Sequence, residues 1–145
     1  MKRYLIILLV ICLLVPTTAE AKKKRRKTRF ISVAEKIRYN EPMKEHLTKQ
    51  GGVFYGVSGK ETYYNLNMDG VIKIMRAKGY DAVNYPYWVR YDGVKMFGYY
   101  VMAAANLNIR PRGTIVKTSL GDAIICDTGG FARHNPTQLD IAVTW

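Results

Sequence analysis

The chain has 145 residues, enough for one domain and short of two. Its two cysteines, Cys12 and Cys126, exclude a disulfide-stapled scaffold, so any fold must rest on an apolar core. The formal net charge of +12 points toward polyanionic partners, and the position of that charge along the chain decides which.

Met1-Lys2-Arg3 precedes an apolar run over residues 4–15, and Ala19 and Ala21 have the spacing of a signal peptidase site. The expectation is a cleaved signal peptide over residues 1–21 and a secreted or cell-wall protein. An uncleaved anchor is the alternative, although the run is short for a membrane span. Ile11 stands where a lipoprotein signal needs a small residue, so lipidation at Cys12 is not expected. After cleavage only Cys126 is left. It follows Ile124 and Ile125 and reads as a small packed apolar residue rather than a nucleophile. His46 and His134 lie in no metal-ligand spacing, so neither a metal nor a cofactor is expected.

Seven basic residues crowd positions 22–29. Lys2, Arg3 and Glu20 account for +1 of the total, which leaves +11 on the mature chain and +4 on residues 30–145. The basicity therefore belongs to a leader. Behind a signal peptide it would meet anionic lipid or wall polymers rather than nucleic acid, or simply stay solvated. Residues 22–51 read as basic tail and linker, with a capping-box pattern at Ser32–Glu35 and a possible helical turn over residues 43–49.

From Gly52 onward the pattern is that of a folded body. Short strands are expected at residues 53–56 and 61–66. A helix is expected over residues 68–78, capped by Asn67 or Asp69 and ended by Gly79. Tyr85, Tyr87, Trp88 and Tyr91 can either stack on sugar rings or fill the core. Residues 95–105 read as one long strand. Residues 113–126 read as a β-hairpin that delivers Asp127 at its exit, and Gly129 and Gly130 suit a bend where a side chain would clash. A last strand over residues 139–145 carries Asp140 at its start. One helix and six or so short strands favour an all-β barrel with one crossing helix over a parallel α/β sheet. Paired carboxylates at strand ends suit glycosidic bond cleavage, while an aspartate at a loop edge also serves as a turn residue.

Ala103-Ala-Ala-Asn106, Ile109-Arg-Pro-Arg-Gly-Thr114, Asp127-Thr-Gly-Gly130 and Leu139-Asp-Ile141 occur in that order. Together they resemble the signature of the three-aspartate (3D) domain. That domain occurs in bacterial cell-wall enzymes, including the C-terminal part of the A-type membrane-bound murein lytic transglycosylases. The resemblance covers residues 52–145 and is dense from about Met102. It implies a six-stranded double-psi β-barrel, most simply a monomer, acting on peptidoglycan glycan strands. It also implies Asp140 as acid/base and Asp127 as its catalytic companion. Substrate contacts would come from Asn106, Thr128, Gly129, Gly130, Arg133 and His134, with Trp88 as a stacking surface. Asn106 stands where the first of the three aspartates belongs, and the loop from Asp127 to Asp140 is longer than usual. Both departures keep open a non-catalytic peptidoglycan-binding module of the same fold. A third possibility is a secreted polyanion-binding protein that works through its basic leader.

Overall fold

A computed structural model describes residue 40 and residues 42–145. The signal peptide, the basic leader and the capping box at Ser32–Glu35 lie outside the described residues. Among the described residues no helix is long and apolar enough to cross a membrane.

The described residues are mostly β with one α-helix. In order it forms β1 (Phe54–Gly56), β2 (Gly59–Tyr64), α1 (Asp69–Ala77), β3 (Tyr87–Val89), β4 (Lys95–Phe97) and β5 (Tyr100–Ala104). Then come β6 (Ile115–Thr118), β7 (Gly121–Asp127), a 3-10 turn (Gly130–Arg133) and β8 (Leu139–Ala142). The sheet is mixed and is not closed. Its hydrogen-bonded path runs β1-β2-β8-β5-β4-β3, with β7 pairing β5 and β6 off that path. The β2–β8 and β5–β7 pairs are parallel; the others are antiparallel.

β5 is the hub. Tyr100 and Val101 pair with β4, and Ala103 and Ala104 pair with β8. Residues Val101, Met102, Ala103 and Ala104 also pair with β7 along the other edge. Because strand side chains alternate, β5 feeds two apolar clusters. Val101 and Ala103 join Leu47, Met96, Leu120, Ile125, Leu139 and Ile141 in the first. Met102 joins Met68, Val71, Met75, Phe97, Ile124, Cys126 and Ala142 in the second, which α1 supplies from Val71 and Met75 one turn apart. α1 starts where Asn67 Oδ1 accepts the Asp69 amide at 2.9 Å, and Gly79 follows it at φ +93°.

Three expectations change. Eight strands form a sheet that is not closed, where a barrel of six or so strands was expected. Residues 95–105 are two strands, because Gly98 at φ +63° lets Gly98-Tyr99 turn the chain back and pair Phe97 with Tyr100. Residues 43–49 are not helical. They lie along the body, with the Met43 amide bonded to the Ser119 carbonyl at 2.8 Å and the Leu47 amide to Ser119 Oγ at 3.0 Å. Leu47 is only 1% exposed in the first cluster. The Asn40 side chain bonds the Tyr99 carbonyl and the Asp122 backbone, and Arg90 donates to the Asn40 carbonyl. Ser119 is itself fixed from behind by the buried Glu61, which accepts from its amide and its hydroxyl. A segment read as linker is thus part of the packed body.

Candidate functional site

Asp127 ends β7 and Asp140 is the second residue of β8. Both pair with Ala104, one from each side of β5. Two strand spacings put their Cα atoms about 10 Å apart, and the residue between them contributes only a methyl group.

A β-bulge puts the two carboxylates on one face. The β5–β7 register runs Val101↔Ala123, Met102↔Ile124 and Ala103↔Ile125, then jumps to Ala104↔Asp127. Ala123 and Ile125 point into the first cluster, and strict alternation would send Asp127 after them. The extra residue, Cys126, resets the phase, and Asp127 joins Ile124 and Cys126 on the face of the second cluster. Asp140 shares that face because its neighbours Leu139 and Ile141 face the other way, while Ala142 does not.

The bulge leaves the Cys126 carbonyl off the ladder, and Arg112 Nε donates to it at 2.8 Å. The same guanidinium stands 4.0 Å from Asp127 Oδ1. Tyr64 donates to Asp127 Oδ2 at 3.4 Å. Burial raises the pKa of this hydroxyl, and the charges of Asp127, Cys126 and Asp140 add to the shift, so Tyr64 stays protonated beside both aspartates. On β2, Thr62 Oγ1 bonds Asp140 Oδ1 at 2.8 Å and receives Gln138 Nε2 at 2.8 Å. The amide nitrogen can only donate, so the Thr62 hydroxyl accepts from it, and its own proton faces Asp140 Oδ1 at 2.8 Å with the Leu139 carbonyl at 3.4 Å as a second acceptor.

Burial raises the Asp140 pKa from its ordinary 3.8, and the Thr62 bond opposes the shift without cancelling it. Asp127 is not among the causes found, and Trp145 packs edge-on against Tyr63 on the opposite face. Cys126 is fully buried, and burial pushes its thiol up to about 12, as suits a packing residue.

Beside Asp127 lies a hollow of about 530 Å³. It is lined by Asn106, Leu107, Asn108, Thr128, Gly129, Gly130, Ala132, Arg133 and Pro136. Five of the predicted contact residues therefore gather there: Asn106, Thr128, Gly129, Gly130 and Arg133. Neither aspartate is in its lining; Asp127 reaches it only through the adjoining Thr128. Asn106 is occupied with structure. Its Oδ1 accepts the Asn108 amide at 3.0 Å and its Nδ2 donates to the Ala132 carbonyl at 3.3 Å, tying the two walls together. His134 ends the 3-10 turn, exposed and outside the lining.

Trp88 is not brought to this place. It sits on β3, packs against the first cluster and donates its indole N–H to the Gly98 carbonyl at 2.8 Å. Tyr85 stacks on Phe97 at 5.5 Å, so only Tyr87 and Tyr91 of the aromatic set are exposed. Of the two loop glycines only Gly129 sits where a side chain would be crowded. A Cβ on Gly129 would come within 3.0 Å of the Phe131 ring, whereas one on Gly130 would meet nothing within 4 Å. Neither has positive φ.

Thr62, Tyr64, Gln138 and Arg112 were not singled out from sequence. Thr62 and Tyr64 alternate on one strand, which is a visible signal, but the register that sets them beside Asp140 and Asp127 depends on pairings across more than sixty residues. No family model, no curated protein and no solved structure matches this chain.

Proposed function

We propose that this chain is an exported bacterial cell-wall protein that cleaves the glycan strands of peptidoglycan by aspartate acid/base catalysis. The reading takes up the resemblance to the three-aspartate domain, with its double-psi barrel, and the signal peptide over residues 1–21. The supporting observation is that Asp127 and Asp140 share a face across Ala104, with Asp140 partly buried and its pKa raised.

In this mechanism Asp140 gives its proton to the glycosidic oxygen as the bond to the anomeric carbon breaks. The resulting carboxylate takes the proton from the muramyl 6-hydroxyl as that oxygen closes the 1,6-anhydro ring, so no water is consumed. Thr62 steadies the carboxylate between the two steps. Asp127, held by Tyr64 and Arg112, orients the sugar. Digestion of purified sacculi by the mature protein should release anhydro-muropeptides detectable by mass, and Asp140→Asn should release none. Absence of both anhydro products and new reducing ends from the wild type would refute the reading.

A non-catalytic binding module of the same fold is the second reading. It is favoured by the hollow, which gathers the contact residues but neither aspartate, and by Asn106 in place of a third acid. It predicts retention on insoluble peptidoglycan that survives Asp140→Asn, with no turnover by the wild type. In both readings the basic leader holds anionic wall polymers, and N-terminal sequencing of the exported protein should begin at Lys22.

A further inference from the structure

We propose that the hollow beside Asp127 seats a carboxylate group of the ligand, with Arg133 as its counter-charge. Arginine usage within the described residues is the starting point. Arg76 donates to the carbonyls of Tyr80, Asp81 and Tyr85; Arg90 holds Asp92 and the Asn40 carbonyl. Arg110 is bonded to the carbonyls of Thr137 and Ser58, and Arg112 to that of Cys126. Each of these guanidinium groups is spent on holding the fold. The Arg133 guanidinium has no hydrogen bond or ion pair to any described residue, and Arg133 lines the hollow.

The lining contains no acidic side chain. Asn108 and Thr128 add neutral hydrogen-bonding groups, while the side chain of Asn106 is already committed to the walls. The volume lies within the range of small-ligand sites, about 300–1,000 Å³. A planar guanidinium in a concave, acid-free site is suited to a planar oxyanion, which it can hold by two parallel N–H···O bonds. Asp127, which precedes the lining residue Thr128, has Arg112 at 4.0 Å to offset its charge. A ligand anchored by its acid at Arg133 would place its adjoining neutral part against the other lining residues, Asn108 and Thr128 among them.

The identity of the ligand rests on the glycan-cleaving reading. Within peptidoglycan the same chemistry has two sources. One is the lactyl carboxylate of muramyl residues stripped of peptide; the other is the carboxylate end of a stem peptide. N-acetylmuramic acid, its methyl ester and N-acetyl-D-alanyl-D-alanine are titrated into the full chain while the backbone amides of residues 128–133 are followed by NMR. Either the sugar acid or the dipeptide should shift those amides, and which one does so names the source. The ester should bind roughly tenfold more weakly than the sugar acid if the sugar is the source. Arg133→Gln should abolish the preference for the acid, and Arg133→Lys should keep part of it.

Equal binding of acid and ester without dipeptide binding, or a preference that survives Arg133→Gln, overturns the proposal. A wild-type protein that binds the acid yet releases no muropeptides refutes the cutting and leaves this site standing. One that cuts sacculi while neither the acid nor the dipeptide shifts those amides does the reverse.

Discussion

At the scale of single residues, Asp140 links stability to pH. Its folded pKa is raised, so the folded state holds the proton more tightly than the unfolded chain does. The associated stabilisation is complete below the ordinary value of 3.8 and is lost as pH rises through the folded pKa. Glu61, with no cation partner among the described residues, is shifted by burial in the same direction from 4.5. Urea denaturation between pH 3.5 and 7 should therefore show a smaller loss of stability with rising pH in Asp140→Asn than in the wild type. Equal slopes would mean that Asp140 ionises in the fold as it does in a free chain.

Gly113 gives a second residue-level prediction. It has φ +93°, and a Cβ there would lie 1.9 Å from the Tyr80 hydroxyl. Gly113→Ala should cost about 2 kcal/mol or more, read as a drop in the unfolding midpoint. Gly130→Ala, with open space around the added methyl, should cost less than about 1 kcal/mol.

At the scale of elements, the bulge in β7 is what the site depends on. Arg112 takes the carbonyl that the bulge leaves over, and Gly113 and Thr114 bond Ile125 just before it. Replacing Arg112 by Met removes that donor and should cost about 1–3 kcal/mol. Thiol labelling of Cys126 should speed up as the strand end loosens; an unchanged rate would mean that the bulge stands without its arginine.

Much of this level was legible in the sequence. β-branched runs and glycines marked β6, β7 and β8, and Val71 and Met75 marked α1. Asp127 and Asp140 were placed at strand ends from their flanks alone. The bulge was not legible, because Cys126 is as apolar as a regular strand residue and the phase change shows only against β5. The turn at Gly98-Tyr99 was missed because apolar residues flank it on both sides, masking the break between β4 and β5. Trp88 was indistinguishable from its exposed neighbours because an aromatic run on a short strand does not declare its inward face.

At the scale of the whole molecule, the packed body begins before the boundary that composition suggests at Gly52. The Leu47 side chain is buried, and its backbone is tied to Ser119, which Glu61 supports from within. Leu47→Ala should destabilise by about 2–4 kcal/mol. A chain starting at Gly52 should unfold at lower urea than one starting at residue 40. Identical midpoints would show that this segment lies on the body without supporting it.

The parallel pairing of β2 with β8 carries a consequence for the order of events after synthesis. Thr62 waits for Asp140, its partner seventy-eight positions later, and the second half of β5 waits for the same four-residue strand. Closing a loop of that span is slow compared with forming local contacts, so β8 docks late against both β2 and β5. Assembly of the sheet and the arrival of Asp140 are then a single event. A molecule clipped before Leu139 would lack both Asp140 and the strand that joins β2 to β5.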